Sequence, residues 1–464
     1  MPPRIHATDL AALTRCDRQV YLDYNGDRSL RLAPSDYQRW LIDQGRAFET
    51  QVAAQFPSSQ PPYRFDNLEA GFQLTLSLMR EGVERIYQGV LIAGDLVGIP
   101  DLLERVEGAS LLGKWHYRPL DIKSASQPTE AHQLQVMAYM ALLESLQGLR
   151  PTGALLLRPA ADVAEPTLAV VHPVEFDAER YQAALAEVRR LAGGAQARPF
   201  LSSVCAECAW QNVCRPLIDE AQDISLIPGL RREVWQQLHE RGVTTLTALA
   251  ALSPADLLDL RGVGEKTAPS IIHHARALST GEPIRLARPA LPPGGLIYDI
   301  EALPDGLVYL HGLLVDLDTE PKFLNFLASS HAAEPSAFTT FLDALDGLPG
   351  PVYHYGSYEK TQLRALVARY GSSDRVDKLL ARMVDLEKVL KDSAALPLTG
   401  YSLKRVARWL GFEWRGETQS GGDSILDYLA WLEDSDRAHL DRILTYNEDD
   451  CIATLRVLNW LREK

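Results

Sequence analysis

Residues 85–106, RIYQGVLIAGDLVGIPDLLERV, followed by HYRPLDIKSAS at 116–126, decide the fold of the first part of the chain. Short apolar segments broken by Gly and Asp turns predict β-strands. The run Ala131 to Leu149 has helical periodicity, so the order strand, strand, helix predicts a mixed sheet with a helix on it. Gly98-Ile99-Pro100-Asp101 closes one strand and Asp121-Ile122-Lys123 lies on the next, where period-two alternation points Asp121 and Lys123 to one face. Two carboxylates and an ammonium so placed can hold Mg²⁺ or Mn²⁺ beside a phosphate, the lysine orienting or activating water and offsetting developing negative charge. Glu49, in Gly45-Arg46-Ala47-Phe48-Glu49, supplies a further carboxylate on a helical segment. Gln135 and Tyr139, four residues apart, share a helical face suited to contacting phosphate or base edges.

Taken in order, Glu49, Asp101, Asp121-x-Lys123 and Gln135-x-x-x-Tyr139 resemble the RecB-like branch of the PD-(D/E)XK nucleases, which includes AddB-type and CRISPR-associated exonucleases. The resemblance implies a restriction-endonuclease-like fold. It also implies that Glu49, Asp101 and Asp121 are metal ligands, that Lys123 is catalytic, and that Gln135 and Tyr139 support DNA binding.

Five cysteines, an odd number, argue against a disulfide framework. Cys205-x2-Cys208-x5-Cys214 follows the Pro/Gly-rich break at 193–199, and Cys16 sits near the amino terminus in ALTRCDRQVYLDY. Four thiolates can bind a [4Fe–4S] cluster or a tetrahedral Zn²⁺, and either would tie the ends of this domain together. One cysteine before the catalytic segments and three after resembles the iron–sulfur staple of the AddB-type and CRISPR-associated nucleases, which implies the iron–sulfur cluster in a structural role. Cys451, alone in YNEDDCIATL, reads as a small core residue.

Residues 223–285 are predicted to be helical, and their seven Lys+Arg balance seven Asp+Glu, against a net charge of −14 for the whole chain. Gly262-Val263-Gly264 makes a tight turn between two helices, where backbone N–H groups at a helix start can hold a phosphate. Pro228-Gly229-Leu230 occupies the matching place in the first half. The arrangement resembles helix-hairpin-helix modules, which implies DNA binding at Gly262, Val263 and Gly264; a spacer role between proteins is the alternative. His273 and His274 read as ordinary helix residues.

In the last part GLIYDIEAL and VYLHGLLVDL predict paired strands, with helices from Tyr358 onward. Asp299 and Glu301 alternate onto one strand face, and Tyr446 and Asp450 lie about one helical turn apart. D-x-E followed by Y-x-x-x-D resembles the DnaQ-like (DEDD) exonucleases of ribonuclease-H-like fold, and MVDLEKVL with GYSLKRVARWLGFEW fits their bacterial YprB-like relatives. That family holds two metal ions with four carboxylates and uses the tyrosine to position water. The implied set is Asp299, Glu301, Glu359 and Asp450, with Tyr446. Its middle motif ordinarily carries Asn and then Phe-Asp, whereas VYHYGSYEKTQL places Glu359 where aspartate is expected, so this domain either cuts or binds ends without cutting. Spacing from Tyr446 selects Asp450 over its neighbour Asp449.

The expected architecture is α/β multidomain: a PD-(D/E)XK domain over 1–220, a small all-α helix-hairpin-helix region over 221–285, and a ribonuclease-H-like α/β domain over 286–464, after the linker PIRLARPALPPGG. A chain of 464 residues has room for several cores, and 46% hydrophobic with 23% charged residues is ordinary for globular proteins. No run of eighteen apolar residues and no signal-like start is present, so a cytoplasmic location without membrane association is expected. The negative charge weakens tight nonspecific wrapping of nucleic acid, yet metal-binding carboxylates contribute to it. The resemblances imply a metal-dependent nuclease acting on single-stranded DNA or DNA ends, with a helicase as a further partner. Two rivals stay open: a non-catalytic adaptor holding DNA or a helicase, and a zinc-stabilised RNA-processing enzyme.

Overall fold

The structure is a computed structural model that describes residues 3–159 and 167–463. It divides into two compact units, Met1–Leu217 and Ile218–Lys464. Among the described residues no helix is long and apolar enough to cross a membrane.

The first unit is built on a five-stranded sheet in the order Arg85–Tyr87, Leu102–Ser110, Gly113–Lys123, Gly153–Leu157, Val170–Val174. Neighbours are antiparallel except Gly113–Lys123 with Gly153–Leu157, whose parallel pairing requires a crossover. The helix Glu130–Gln147 makes that crossover, starting at the Thr129 cap and ending at Gly148, where φ is 69°. Leu134, Met137 and Leu142 on this helix share a core with Leu103, Tyr117 and Leu155 of the sheet.

The opening stretch does not stay in one sheet. Leu91–Ala93 and Leu96–Gly98 form a hairpin around Gly94, which takes φ 62°, and this hairpin pairs with Ile5–His6 in a separate three-stranded sheet. Tight two-residue turns favour such positive φ, so a local signal diverts the chain between the two halves of an otherwise continuous strand pattern. Asp101 lies where the chain leaves the small sheet for the large one.

In the second unit the helices Arg232–Glu240, Leu246–Ala250 and Thr267–Thr280 precede a five-stranded sheet ordered Lys322–Leu327, Val308–Val315, Leu296–Ala302, Val352–His354, Met383–Asp385. The first three strands are antiparallel and the last two join in parallel. Both faces of the central strand are covered. Leu296, Tyr298 and Ile300 pack with Phe338 and Phe341, while Ile297 shares a core with Val457 of the long helix Arg437–Arg462. Period two therefore sends Asp299 and Glu301 to the face beneath that helix.

The expected linker is partly fastened. Ile284–Arg285 pairs antiparallel with Ala394–Ala395, and the Arg285 guanidinium stacks 3.5 Å from the Trp460 ring centre.

Candidate functional site

On the first unit, Glu49 comes from the helix Asp36–Ala53, Asp101 from the crossing between sheets, and Asp121 and Lys123 from the strand Gly113–Lys123. Lys123 Nζ lies 2.7 Å from Asp121 Oδ2, and Asp121 is buried. Glu49 Oε1 accepts from the Tyr87 hydroxyl at 2.9 Å and from Gln88 Nε2 at 3.0 Å. Asp101 Oδ2 accepts from the Ile122 amide at 2.6 Å. Burial, then Asp121 and Glu49, push the Asp101 carboxyl well above the ordinary carboxylate range, with Lys123 opposing. Burial alone would pull Lys123 down, but Asp121 and Asp101 outweigh it and raise the ammonium. Asp121 Oδ1 is buried without a hydrogen-bond partner among the described residues, and Oδ2 has the Lys123 ammonium as its ion-pair partner. Buried acceptors left this way are costly, which fits a site that gathers positive charge.

Gln135 and Tyr139 face inward. Gln135 Nε2 donates to the Tyr139 hydroxyl at 2.7 Å, which itself donates to the Ile99 carbonyl at 3.3 Å. Tyr139 is 2% exposed, and a side chain at Gly98 would collide with its ring. The crossover helix is buried along this face, and the pair braces the Gly98–Asp101 crossing.

The cysteine segment is bound to the amino-terminal helices. Trp210 Nε1 donates to Asp23 Oδ1 at 2.8 Å, and Arg18 Nη1 donates to the Ala197 carbonyl at 2.8 Å. Cys16, Cys205, Cys208 and Cys214 are all partly exposed, and none is in a disulfide. Cys205 Sγ accepts from the Ser202 amide and Cys208 Sγ from the Trp210 amide, each at 3.4 Å. Burial pushes the Cys16 thiol up to about 11 and raises that of Cys214. Among the described residues no three cysteine sulfurs come within 4.8 Å of one another, and Cys451 is fully buried.

In the helical middle, Gly262 takes φ 89° and lies against Arg231, whose guanidinium a side chain at Gly262 would strike. Val263 is buried and its amide donates to the Leu260 carbonyl at 3.1 Å, so that N–H is engaged inside the turn. Gly264 has open space around it and precedes the helix Thr267–Thr280. His274 is buried on that helix, with Nε2 2.7 Å from the Tyr401 hydroxyl.

Asp299, Glu301 and Asp450 bring one carboxylate oxygen each within 4.8 Å of one another, the one such group of three ligating side chains among the described residues. Each acid is held by neighbours. Asn447 Nδ2 donates to Asp299 Oδ2 at 2.6 Å, Trp414 Nε1 to Asp450 Oδ1 at 2.8 Å, and the Tyr309 hydroxyl to Glu301 Oε2 at 3.3 Å. Tyr446 is buried one helical turn before Asp450 on the helix Arg437–Arg462. Glu359 lies outside the triad, with Oε2 3.3 Å from His354 Nδ1. Asp449 is neutralised elsewhere, accepting from the Arg415 amide at 2.7 Å and from its Nε at 2.6 Å.

Burial first, and the crowding of acids second, set the electrostatics. Burial and Asp450 push Glu301 up to about 8, and burial pushes Asp450 up to about 6 against the opposing Lys404 ammonium. Burial followed by Asp450, Glu301 and Glu359 raises Asp299 well above its ordinary range, and burial with Asp450 raises the Tyr446 phenol. Such a cluster is unfavourable alone and is relieved by a divalent cation.

Lys404, Asn447 and Trp414 were not singled out by the sequence reading. Lys404 and Trp414 lie in GYSLKRVARWLGFEW, and Asn447 lies between Tyr446 and Asp450, but no spacing rule marks them.

Family models match three consecutive parts of the chain. The PD-(D/E)XK nuclease superfamily matches residues 6–215, a SAM-like helix-hairpin-helix tandem residues 221–277, and the RNase_H superfamily residues 296–462. No curated protein matches the chain. The chain thus carries a PD-(D/E)XK nuclease domain, a helix-hairpin-helix region and an RNase H-like domain, in that order.

Proposed function

We propose that this protein is a metal-dependent nuclease that hydrolyses phosphodiester bonds in DNA, on single strands or at ends, in repair or recombination and beside a helicase. The convergence of Asp299, Glu301 and Asp450 within 4.8 Å carries the reading. The Asp121–Lys123 contact on the other unit supports a second cutting site with Glu49 and Asp101. Mg²⁺ or Mn²⁺ at these carboxylates would polarise the phosphate and make a bound water more acidic. Lys123 orients that water and offsets charge on the phosphate; Tyr446, one helical turn from Asp450, positions water at the RNase H-like site. Gly264, open at the start of a helix, supports phosphate contact by backbone N–H groups.

The test is digestion of end-labelled single-stranded DNA with Mg²⁺ or Mn²⁺ by wild type, Lys123→Ala and Asp299→Ala. Loss in Lys123→Ala alone makes the PD-(D/E)XK site the working nuclease and the RNase H-like domain a binder. If wild type cuts nothing with either metal, the adaptor reading replaces the catalytic one.

For the cysteines the proposal is a structural [4Fe–4S] cluster on Cys16, Cys205, Cys208 and Cys214. Its support is the backbone N–H donors on Cys205 and Cys208 and the electrostatic proximity of Cys16 to Cys205 and of Cys214 to Cys205 and Cys208. Protein purified without oxygen is expected to absorb broadly near ~400 nm; a colourless protein holding stoichiometric zinc would replace iron–sulfur with a zinc site.

A further inference from the structure

We propose that Gln88 is a positioning residue of the PD-(D/E)XK site: its left-handed backbone turns the side-chain amide onto Glu49, so that Gln88 and Tyr87 together hold one carboxylate oxygen and leave the other to a divalent ion. This deepens the metal site proposed for Glu49, Asp101 and Asp121 and rests on it.

Tyr87 ends the strand Arg85–Tyr87, and in an extended chain the next side chain points to the opposite face. Gln88 breaks that alternation with φ 50°, a conformation that costs free energy in a residue bearing a Cβ and that glycine or asparagine ordinarily supplies. The break brings two consecutive side chains to one atom. The Tyr87 hydroxyl donates to Glu49 Oε1 at 2.9 Å, and Gln88 Nε2 donates to the same oxygen at 3.0 Å. The amide fits only one way round, because a carboxylate accepts: Nε2 faces Glu49, and the Gln88 side-chain oxygen accepts from Gln60 Nε2 at 3.3 Å.

The backbone of Gln88 is held as firmly. Its N–H donates to the Asp101 carbonyl at 3.0 Å, and its carbonyl accepts from the Tyr63 hydroxyl at 3.0 Å. Gln88 thus ties Glu49, on the helix Asp36–Ala53, to the backbone of Asp101, and one residue sets two acids that come from separate elements. Glycine would take this turn without strain but would carry no amide, so the retained strain is explained by the side chain's contact with Glu49.

The experiment measures Mn²⁺ binding by electron paramagnetic resonance on the full chain carrying Asp299→Ala, scoring the ions lost when Asp121→Ala is added. The melting temperature of each protein in chelator is the second readout. Gln88→Gly and Gln88→Met both remove the amide, but only glycine relieves the left-handed backbone. Both should bind Mn²⁺ more weakly by on the order of tenfold, and Gln88→Gly should melt above Gln88→Met. A purely structural role would change the melting temperatures and leave the affinity alone. Affinity retained in Gln88→Gly therefore overturns the inference and leaves the metal site standing, whereas no Asp121-dependent ion with Gln88 intact overturns both. If neither variant folds, Tyr87→Phe, which removes the other donor to Oε1, decides: a loss of the same order supports the clamp, and unchanged affinity overturns it.

Discussion

Gly312 lies directly beneath Asn447: a side chain at 312 would collide with the Asn447 amide oxygen, while Nδ2 of the same amide donates to Asp299 Oδ2 at 2.6 Å. The strand Val308–Val315 needs glycine here so that the long helix can bring Asn447, and with it Asp450, over the acidic strand.

Gly312→Ala is therefore expected to cost about 1–3 kcal/mol by overpacking and to weaken Mn²⁺ binding at the triad. Asn447→Ser should relieve the collision and recover most of the lost stability in the double variant. Thermal unfolding of both variants, with and without Mn²⁺, checks this.

The acidic site predicts an unusual pH dependence of stability. Glu301 is raised to about 8 and Asp450 to about 6 in the folded protein, so between the ordinary carboxylate range and those values the folded state holds more protons than the unfolded one. Stability then falls as pH rises through this window, from about 4 toward 8. With chelator present the melting temperature should decline across it; added Mn²⁺ should oppose the decline and gain effect with pH. Glu301→Gln should flatten the chelator curve, and an unchanged slope would show that the acids are relieved by other means.

Tyr139→Phe removes the hydroxyl that joins Gln135 to the Ile99 carbonyl. The expected loss is about 1–3 kcal/mol of stability, from buried polar groups left without a partner, with little change in DNA affinity. Denaturant unfolding and DNA titration separate this bracing role from a direct phosphate contact, which would instead lower DNA affinity at every salt concentration with stability unchanged.

Tyr401 joins the helical middle to the two-stranded ladder of Ile284–Arg285 and Ala394–Ala395. Its hydroxyl donates to the Ala394 carbonyl at 2.9 Å, accepts from the Leu396 amide at 3.1 Å and lies 2.7 Å from His274 Nε2. Tyr401→Phe should destabilise the second unit by about 1–3 kcal/mol and speed proteolysis within 283–295, the segment that pairs with Ala394–Ala395. Rates of cleavage at that segment, mapped by mass spectrometry, give the answer.

The α/β character of both ends was legible in the sequence because it depends on local periodicity, such as the alternation in GLIYDIEAL and the helical spacing after Tyr358, while the identity and order of the three domains came from resemblance of their motifs to known families. The same alternation puts Asp299 with Glu301, and one helical turn puts Tyr446 with Asp450, so most of the triad can be named from spacing alone. Tertiary structure alone decided the rest. Residues 85–106 divide between two sheets because a turn at Gly94 closes a hairpin on Ile5–His6, a partner some ninety residues away in the chain. Gln135 and Tyr139 share a helical face, but only packing against Gly98 turns that face inward. Asp449 and Asp450 are adjacent and chemically alike; Arg415 takes one and Trp414 fixes the other beside Asp299 and Glu301. Lys404 comes to lie over the Tyr446 ring across a fold that no repeat distance encodes, because the exclusion of water acts between segments that meet only once the sheet and the long helix have packed.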